Sequence, residues 1–244
     1  MKSLPGIVTV VLLIASAQAQ TPAPSPKNTP SPTPTEVARK HSSLKYIPPK
    51  NTVAGTRRVI DAGTRGWSAN LPSLYVLAPD HTGLTTRAQP TLFWYQSGPA
   101  TTPIELTLIE PGKPGWILRV GADIANQPGI HRFSLEKHNI TLAPGILYKW
   151  TIALVPNRAN RSQDVIASDT IQRVEPDAQL TATLAGCKGL DKAANYAGKG
   201  IWYDALEAVT NEIDAAPKNK EIRLERAALL EQVGLKEAAA SERK

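Results

Sequence analysis

The chain holds four histidines, the side chains best suited to metal binding and to acid–base catalysis near neutral pH. They are His41, His81, His131 and His138. None is spaced as a metal-binding pair or lies beside a cysteine pair, so we predict no metal site and no cofactor. His81 follows Asp80 in the turn-like string "PDHTG", but an Asp-His dyad needs a nucleophile, and no G-x-S-x-G elbow is present. We therefore predict no catalytic residues and no enzymatic activity.

A glycine-flanked arginine is the first candidate for a binding site. In "AGTRG" (62–66) two glycines surround Arg65, and backbone amides in such a loop favour an anion-binding nest. The alternative is that the glycines serve loop geometry alone. Trp67 follows directly, in a place where an indole either stacks on a sugar ring or turns into the core.

A second candidate is the loop "PNRANRSQD" (156–164), which carries Arg158 and Arg161. Loops of this length between strands commonly carry recognition residues, and the alternative is a solvated connection. Trp116 lies beside another loop and has the same two alternatives as any loop indole, a sugar contact or a core position. These residues predict binding rather than catalysis.

Residues 1–19 have the composition of a secretory signal peptide. Lys2 precedes an apolar run, and a small-x-small site ends at Ala19. The apolar run is too short to span a membrane, and no later stretch approaches about 18 apolar residues. We predict cleavage after Ala19 and a mature protein without a membrane span, in the periplasm or secreted; the alternative is an uncleaved anchor.

Residues 20–56 are rich in Pro, Thr and Ser, and we predict a disordered arm because such a segment buries little apolar surface. The arm holds five Lys or Arg against one Glu, and therefore carries most of the net charge of +7. It acts either as a spacer or as a contact with an anionic envelope surface. No folded segment has the basic face that a nucleic-acid binder needs, so we predict no nucleic-acid partner.

Residues 57–176 contain about seven short runs with period-two patterning, separated by Pro and Gly turns, which predict an immunoglobulin-like or fibronectin III-like β-sandwich. The clearest run, "ILYKWTIALV" (146–155), puts Tyr148 and Trp150 on one face. Pro144 and Gly145 form a turn before it. This spacing predicts a tyrosine corner at Tyr148 and a core position for Trp150; the alternative is a buried strand after a chance turn.

Residues 177–244 change to helical spacing and form the predicted all-α tail. Gly200 and Gly234 are 34 residues apart, the period of a tetratricopeptide repeat, and the alternative is a plain helical hairpin. Because so short a repeat cannot bury its own core, we expect the helices to pack on the sandwich, with Trp202 as the anchor. The single cysteine, Cys187, is either a buried thiol or an intermolecular bridge.

Four longer strings occur in chain order, namely "RRVIDAGTRG" (57–66), "LYVLAPDHTGLTTRAQPTLFWY" (74–95), "LYKWTIALVPNRANRSQDVIASDTIQRV" (147–174) and "YAGKGIWYDAL…LLEQVGL" (196–235). Together they resemble a family of bacterial exported proteins, domain of unknown function 928. The resemblance implies an architecture and an exported location, and no agreed activity. It also implies a cysteine pair that this chain lacks, so we expect its sandwich to be held by packing alone.

We therefore predict an exported, non-enzymatic interaction or scaffold protein of the bacterial periplasm or cell envelope. It would bind a protein partner through its sandwich loops and helical tail. The alternative function is a carbohydrate- or peptidoglycan-binding accessory module, for which the loop tryptophans would stack on sugar rings.

Overall fold

The computed structural model describes residues 44–50, 53, 58–59, 71–122 and 127–244. The strands in these ranges are β1 (Arg58–Val59), β2 (Leu74–Val76), β3 (Gly83–Thr85), β4 (Thr91–Gln96), β5 (Ile104–Ile109), β6 (Leu118–Ala122), β7 (Gly129–Ser134), β8 (Leu147–Leu154) and β9 (Val165–Arg173). The helices are α1 (Ala178–Gly186), α2 (Gly189–Gly198), α3 (Trp202–Ala215), α4 (Lys220–Gln232) and α5 (Lys236–Glu242).

The described strands form two sheets. The larger has the order β1-β9-β8-β5-β6, and β3 also pairs with β9, in parallel. The smaller sheet has the order β2-β4-β7. Buried apolar side chains of both sheets and of the helices belong to one cluster, so the described residues form a mixed arrangement of two sheets and five α-helices around a shared core.

The predicted strand at 146–155 is confirmed as β8, in which Tyr148, Trp150 and Ile152 are buried. The turn before it holds Gly145 at φ 76°, a left-handed conformation that glycine adopts without steric cost. The hydroxyl oxygen of Tyr148 accepts a hydrogen bond from the backbone N–H of Ala143 at 3.0 Å. This is the contact that a tyrosine corner makes, and it fixes the entry of the chain into β8.

Residues 44–50, which we call the strap, correct the predicted disordered arm. Leu44 and Tyr46 are only 2% and 7% exposed. The side-chain amide of Gln232 accepts from Tyr46 N at 2.8 Å and donates to Leu44 O at 2.7 Å, while Glu225 accepts from Leu44 N at 2.9 Å. The prediction of disorder is wrong for the strap. It rested on the average composition of residues 20–56, which is rich in Pro, Ser and Thr, whereas Leu44 and Tyr46 are two apolar residues, two positions apart, that are buried.

The string "PDHTG", predicted to be a turn, also differs in the structure. Gly83 begins β3, a three-residue strand that pairs with β9 in parallel. A side chain at Gly83 is excluded, because a Cβ there would lie 2.6 Å from the ring of Tyr203. Close packing of a helix on this strand therefore explains the glycine.

The helices dock on the sheets through the first turn of α3. The indole N–H of Trp202 donates to Leu77 O at 2.7 Å, and Trp202 is fully buried. The hydroxyl of the next residue, Tyr203, accepts from the indole N–H of Trp150 at 2.8 Å. Two consecutive side chains of α3 therefore contact both the chain after β2 and the larger sheet.

Asp204 adds a third contact in the same turn. Its carboxylate accepts hydrogen bonds from the hydroxyls of Thr85 and Thr86 and from Thr86 N. Burial raises the pKa of Asp204, and the hydrogen bonds from the two threonines only partly oppose that effect. The carboxylate thus ties the start of α3 to the end of β3.

Two turns in the helical region have the same backbone geometry. Gly200, between α2 and α3, has φ 73°, and Gly234, between α4 and α5, has φ 76°. Cys187 follows α1, where it is half-buried and free, and its sulfur accepts from the side-chain amide of Asn195 at 3.2 Å. This half-buried position corrects the interpretation of Cys187 as a buried thiol. The residue caps the C-terminus of α1 instead of facing the core.

Candidate functional site

The predicted arginines Arg158 and Arg161 meet two residues of the larger sheet in a cleft of about 360 Å³. We call it the arginine cleft, and its polar lining consists of Glu105, Arg119, Arg158 and Arg161. Glu105 lies on β5 opposite Gly121 of β6, with Arg119 two residues earlier on β6. Side chains two apart share one face of a strand, so Arg119 reaches Glu105 diagonally across the pair.

Gly121 keeps the floor of the arginine cleft open. No atom lies within 4 Å of the position that a Cβ would take there. A side chain at this position would project from the same face of the sheet as Glu105, which lies directly opposite on β5. The absence of a side chain at Gly121 therefore leaves room for a ligand group above the sheet.

Glu105 joins the strands to the loop that follows β8. Its two oxygens accept hydrogen bonds from Arg119 Nε and Arg161 Nη2, each at 3.0 Å. Arg161 also donates from Nε to the buried carboxylate of Asp164 at 2.7 Å. Because both guanidinium groups are held by carboxylates, their planes are fixed before any ligand arrives.

The pKa values follow from these contacts. Burial raises the pKa of Glu105, but hydrogen bonds from Arg161 and Arg119 outweigh it and hold the pKa below its usual value. Hydrogen bonds to Asp164 and Glu105 raise the pKa of Arg161. Both groups are therefore charged at neutral pH.

Arg158 is the arginine of the cleft that pairs with none of the described carboxylates. It is exposed, lines the cleft and has no ion pair within the described ranges. Three guanidinium groups against the carboxylates of Glu105 and Asp164 leave one net positive charge. Guanidinium groups recognise carboxylate, sulfate and phosphate through paired N–H donors, so the cleft has the chemistry to bind one anionic group.

An exposed tryptophan lies next to the cleft. Trp116 is 60% exposed, and the guanidinium carbon of Arg119 lies 4.5 Å from the centre of its ring. This is a cation–π contact, and it links the aromatic surface to the charged residues. Trp116 precedes the strand, since β6 begins at Leu118.

Sequence reasoning found only part of this cleft. Arg65 and Trp67 lie outside the described residues. Arg158 and Arg161 are brought together, and Glu105 and Arg119 were missed. Their signal is present in "IELTLIE" and "WILRV" as charged residues within apolar runs, but the register between the two strands is needed to see that Glu105 and Arg119 meet.

The histidines that the structure describes have structural partners. The ring of His81 lies with Nδ1 3.0 Å from Thr82 O and Nε2 3.1 Å from the hydroxyl of Tyr46. A carbonyl oxygen can only accept, so Nδ1 donates to Thr82 O. His131 stacks on Trp94 at 5.4 Å, and burial lowers the pKa of His131.

Two further properties concern the parts of the chain that the structure describes. There, no group of three or more His, Cys, Asp or Glu is arranged to hold a metal ion. Among the helices described, none is both long enough and apolar enough to cross a membrane.

Comparisons with known proteins place the chain in a family. None of the curated proteins matches it. Among solved structures it is similar to an engineered protein at 11% sequence identity, over 42% of this chain and 20% of that chain, with a TM-score of 0.28. The chain thus spans about a fifth of that protein, and so low a TM-score supports no inference. Residues 55–243 match Domain of Unknown Function (DUF928), so this chain belongs to the DUF928 family.

Proposed function

We propose that this chain is a non-enzymatic interaction protein, exported to the bacterial periplasm or cell envelope, which binds a protein partner through its sheet loops and helices. The observation that carries the proposal is the arginine cleft. Its guanidinium groups are oriented by Glu105 and Asp164, and Arg158 has no ion pair in the described part of the chain. An acidic side chain of a partner would pair with Arg158 and fill the open space above Gly121.

The proposal also assigns the sheets to an immunoglobulin-like or fibronectin III-like sandwich and the helices to a tetratricopeptide-like repeat. The corner contact between Tyr148 and Ala143 supports an immunoglobulin-like or fibronectin III-like sandwich. The matching turns at Gly200 and Gly234, 34 residues apart, support tetratricopeptide-like helices. Both architectures are commonly used to present binding surfaces on a rigid scaffold.

The experiment compares capture of envelope proteins by immobilised wild type, Arg158→Glu and Lys218→Glu. Lys218 is an exposed lysine between α3 and α4, so its reversal changes the net charge equally. We expect a partner that wild type and Lys218→Glu retain and Arg158→Glu loses. Equal retention by all three would contradict the cleft as the binding surface. If wild type hydrolyses a substrate in a panel of hydrolase and glycan-cleaving assays and His81→Ala does not, the proposal that the protein is non-enzymatic is contradicted.

A second candidate function is binding of a glycan or peptidoglycan, and Trp116 favours it. An exposed indole beside a fixed guanidinium suits a sugar ring that carries an acidic group. Sedimentation with isolated peptidoglycan at low and moderate salt tests this function. Trp116→Ala should reduce the bound fraction at both salt concentrations, because stacking is less sensitive to screening than charge pairing. If wild type stays in the supernatant at both, this candidate fails.

A further inference from the structure

The strap is bound in the way that a recognition surface binds an extended peptide. One side-chain amide, that of Gln232 on α4, accepts from Tyr46 N at 2.8 Å and donates to Leu44 O at 2.7 Å. The next backbone amide, Ile47 N, donates to Ala197 O of α2 at 3.0 Å. Backbone groups two residues apart point the same way only in an extended chain, so Gln232 binds the strap in its extended form.

Alternate side chains of the strap face the protein. Leu44 and Tyr46 are buried, whereas Lys45 between them is exposed. The rings of Tyr46 and Trp202 meet edge to face, with centres 5.0 Å apart and planes at 81°, and the tyrosine hydroxyl lies 3.1 Å from His81 Nε2. Tyrosine therefore fits this position through both its ring and its hydroxyl.

Pro49 is the third side chain that the protein recognises. A Cβ on Gly200, in the turn between α2 and α3, would lie 2.6 Å from Pro49 Cγ, so the glycine leaves the space that the proline ring fills. The three side chains define the pattern Leu-x-Tyr-x-x-Pro, which occurs once in the sequence, at residues 44–49. We call the surface that binds them the strap groove, and it consists of His81, Ala197, Gly200, Trp202, Glu225 and Gln232.

These contacts depend little on the connection between the strap and the sheets. Residues 51–57 join the strap to β1, and in the described part of this connection Thr82 N donates to Val53 O at 2.9 Å, while the side chain of Val53 is 66% exposed. Seven extended residues reach at most about 25 Å, which lets a strap enter the groove of an adjacent copy. A strap delivered by a second chain would make the same contacts, because the residues that define the pattern all lie within 44–49.

We propose that the strap groove is a peptide-recognition site whose partner is the strap of a second copy of this chain, so that two copies associate by exchanging straps. Exchange of an identical element forms dimers at low cost, because each copy regains the contacts that it gives up. The attached strap competes at an effective concentration on the order of 1 mM, so association increases with protein concentration and with release of the attached strap. This site is separate from the arginine cleft and does not depend on its function.

Fluorescence anisotropy of a labelled synthetic peptide, residues 42–51, tests the recognition. The full chain with Leu44→Ala/Tyr46→Ala should bind this peptide, and wild type should bind it at least about tenfold more weakly because its own strap competes. Adding Gln232→Ala should weaken binding about tenfold through loss of two hydrogen bonds. Adding Arg223→Ala is the matched control and should change nothing, since nine residues at about 100° each place Arg223 on the opposite side of α4. If circular dichroism shows that the double variant is unfolded, Tyr46→Ala alone serves in its place.

Two complementary variants test whether the partner is a second copy. Leu44→Ala/Tyr46→Ala keeps an intact groove, and Glu225→Ala/Gln232→Ala keeps an intact strap. At about ten times the dissociation constant of the peptide, an equimolar mixture should sediment as a 1:1 complex, and each variant alone should sediment as a monomer. The proposal is overturned if the peptide binds the groove-intact variant no better than wild type. It is also overturned if the peptide binds but the two variants do not associate, which would assign the groove to a peptide of another protein.

Discussion

Replacing Trp202 with alanine should destabilise the sheets together with the helices. Truncation of a buried tryptophan costs about 3–5 kcal/mol, and Trp202 is fully buried. Loss of its N–H also removes the donor that Leu77 O accepts from, at about 1 kcal/mol. The expected loss is thus about 4–6 kcal/mol, a large share of the roughly 5–15 kcal/mol that stabilises a typical domain.

Urea denaturation followed by two signals measures this effect. Far-UV circular dichroism at the helical band reports on α1–α5, and fluorescence of the remaining tryptophans includes Trp94 and Trp150 in the two sheets. Both signals should show one transition with the same lowered midpoint. Trp202→Phe, which keeps most of the apolar volume, should lose about 1–2 kcal/mol, and Trp116→Ala, at an exposed position, less than about 0.5 kcal/mol.

Two results would refute the reasoning. The helical signal of Trp202→Ala could move alone while the fluorescence midpoint stays at the wild-type value, which would mean that the helices unfold independently. Alternatively, Trp202→Ala could be no less stable than Trp116→Ala, which would mean that the contact with Leu77 contributes nothing.

Three other substitutions probe separate contacts. Gly200→Ala should cost about 2 kcal/mol in thermal unfolding, because a Cβ at φ 73° would lie 2.6 Å from Pro49. Arg226→Ala should lower the free energy of unfolding by about 3–5 kcal/mol, because it leaves the carboxylate of Glu242 buried without its partner. The double variant Arg226→Leu/Glu242→Leu should lose less stability than Arg226→Ala, because it leaves no unpaired charge. Burial raises the pKa of Glu105, but hydrogen bonds from Arg161 and Arg119 outweigh burial and hold this pKa below 4.5. The ionised Glu105 therefore stabilises the fold above pH 4.5, and this contribution is lost as the pH falls through the folded-state pKa. Glu105→Gln should make the unfolding free energy less dependent on pH in this acidic range.

The sequence was most informative where local patterning decides the structure. The alternation at 146–155 predicted a strand, and β8 occupies Leu147–Leu154. Helical spacing from residue 177 predicted helices, and α1 begins at Ala178, with Asp177 accepting from Leu180 N. In both cases each residue contributes to a period that can be counted without knowing its neighbours in space.

The sequence was least informative where a contact depends on distant parts of the chain. The three residues of β3 show no period of their own and become a strand because β9 lies beside them. The strap is ordered by Glu225 and Gln232, about 180 residues away. The partnership of Glu105 with Arg119 requires the register of β5 on β6, which composition and spacing do not encode.

Photocrosslinking from position 159 tests the central claim most directly, because it leaves the guanidinium of Arg158 in place. A benzoylphenylalanine replacing Ala159, an exposed residue directly after Arg158, would lie beside the arginine cleft, and the same residue replacing Lys218 serves as the matched control. Exposure to envelope extract and light should give a discrete adduct with one partner protein from position 159 and none from position 218. Adducts that are identical at both positions, or no adduct at position 159, would contradict the assignment of the cleft as the surface that binds the partner.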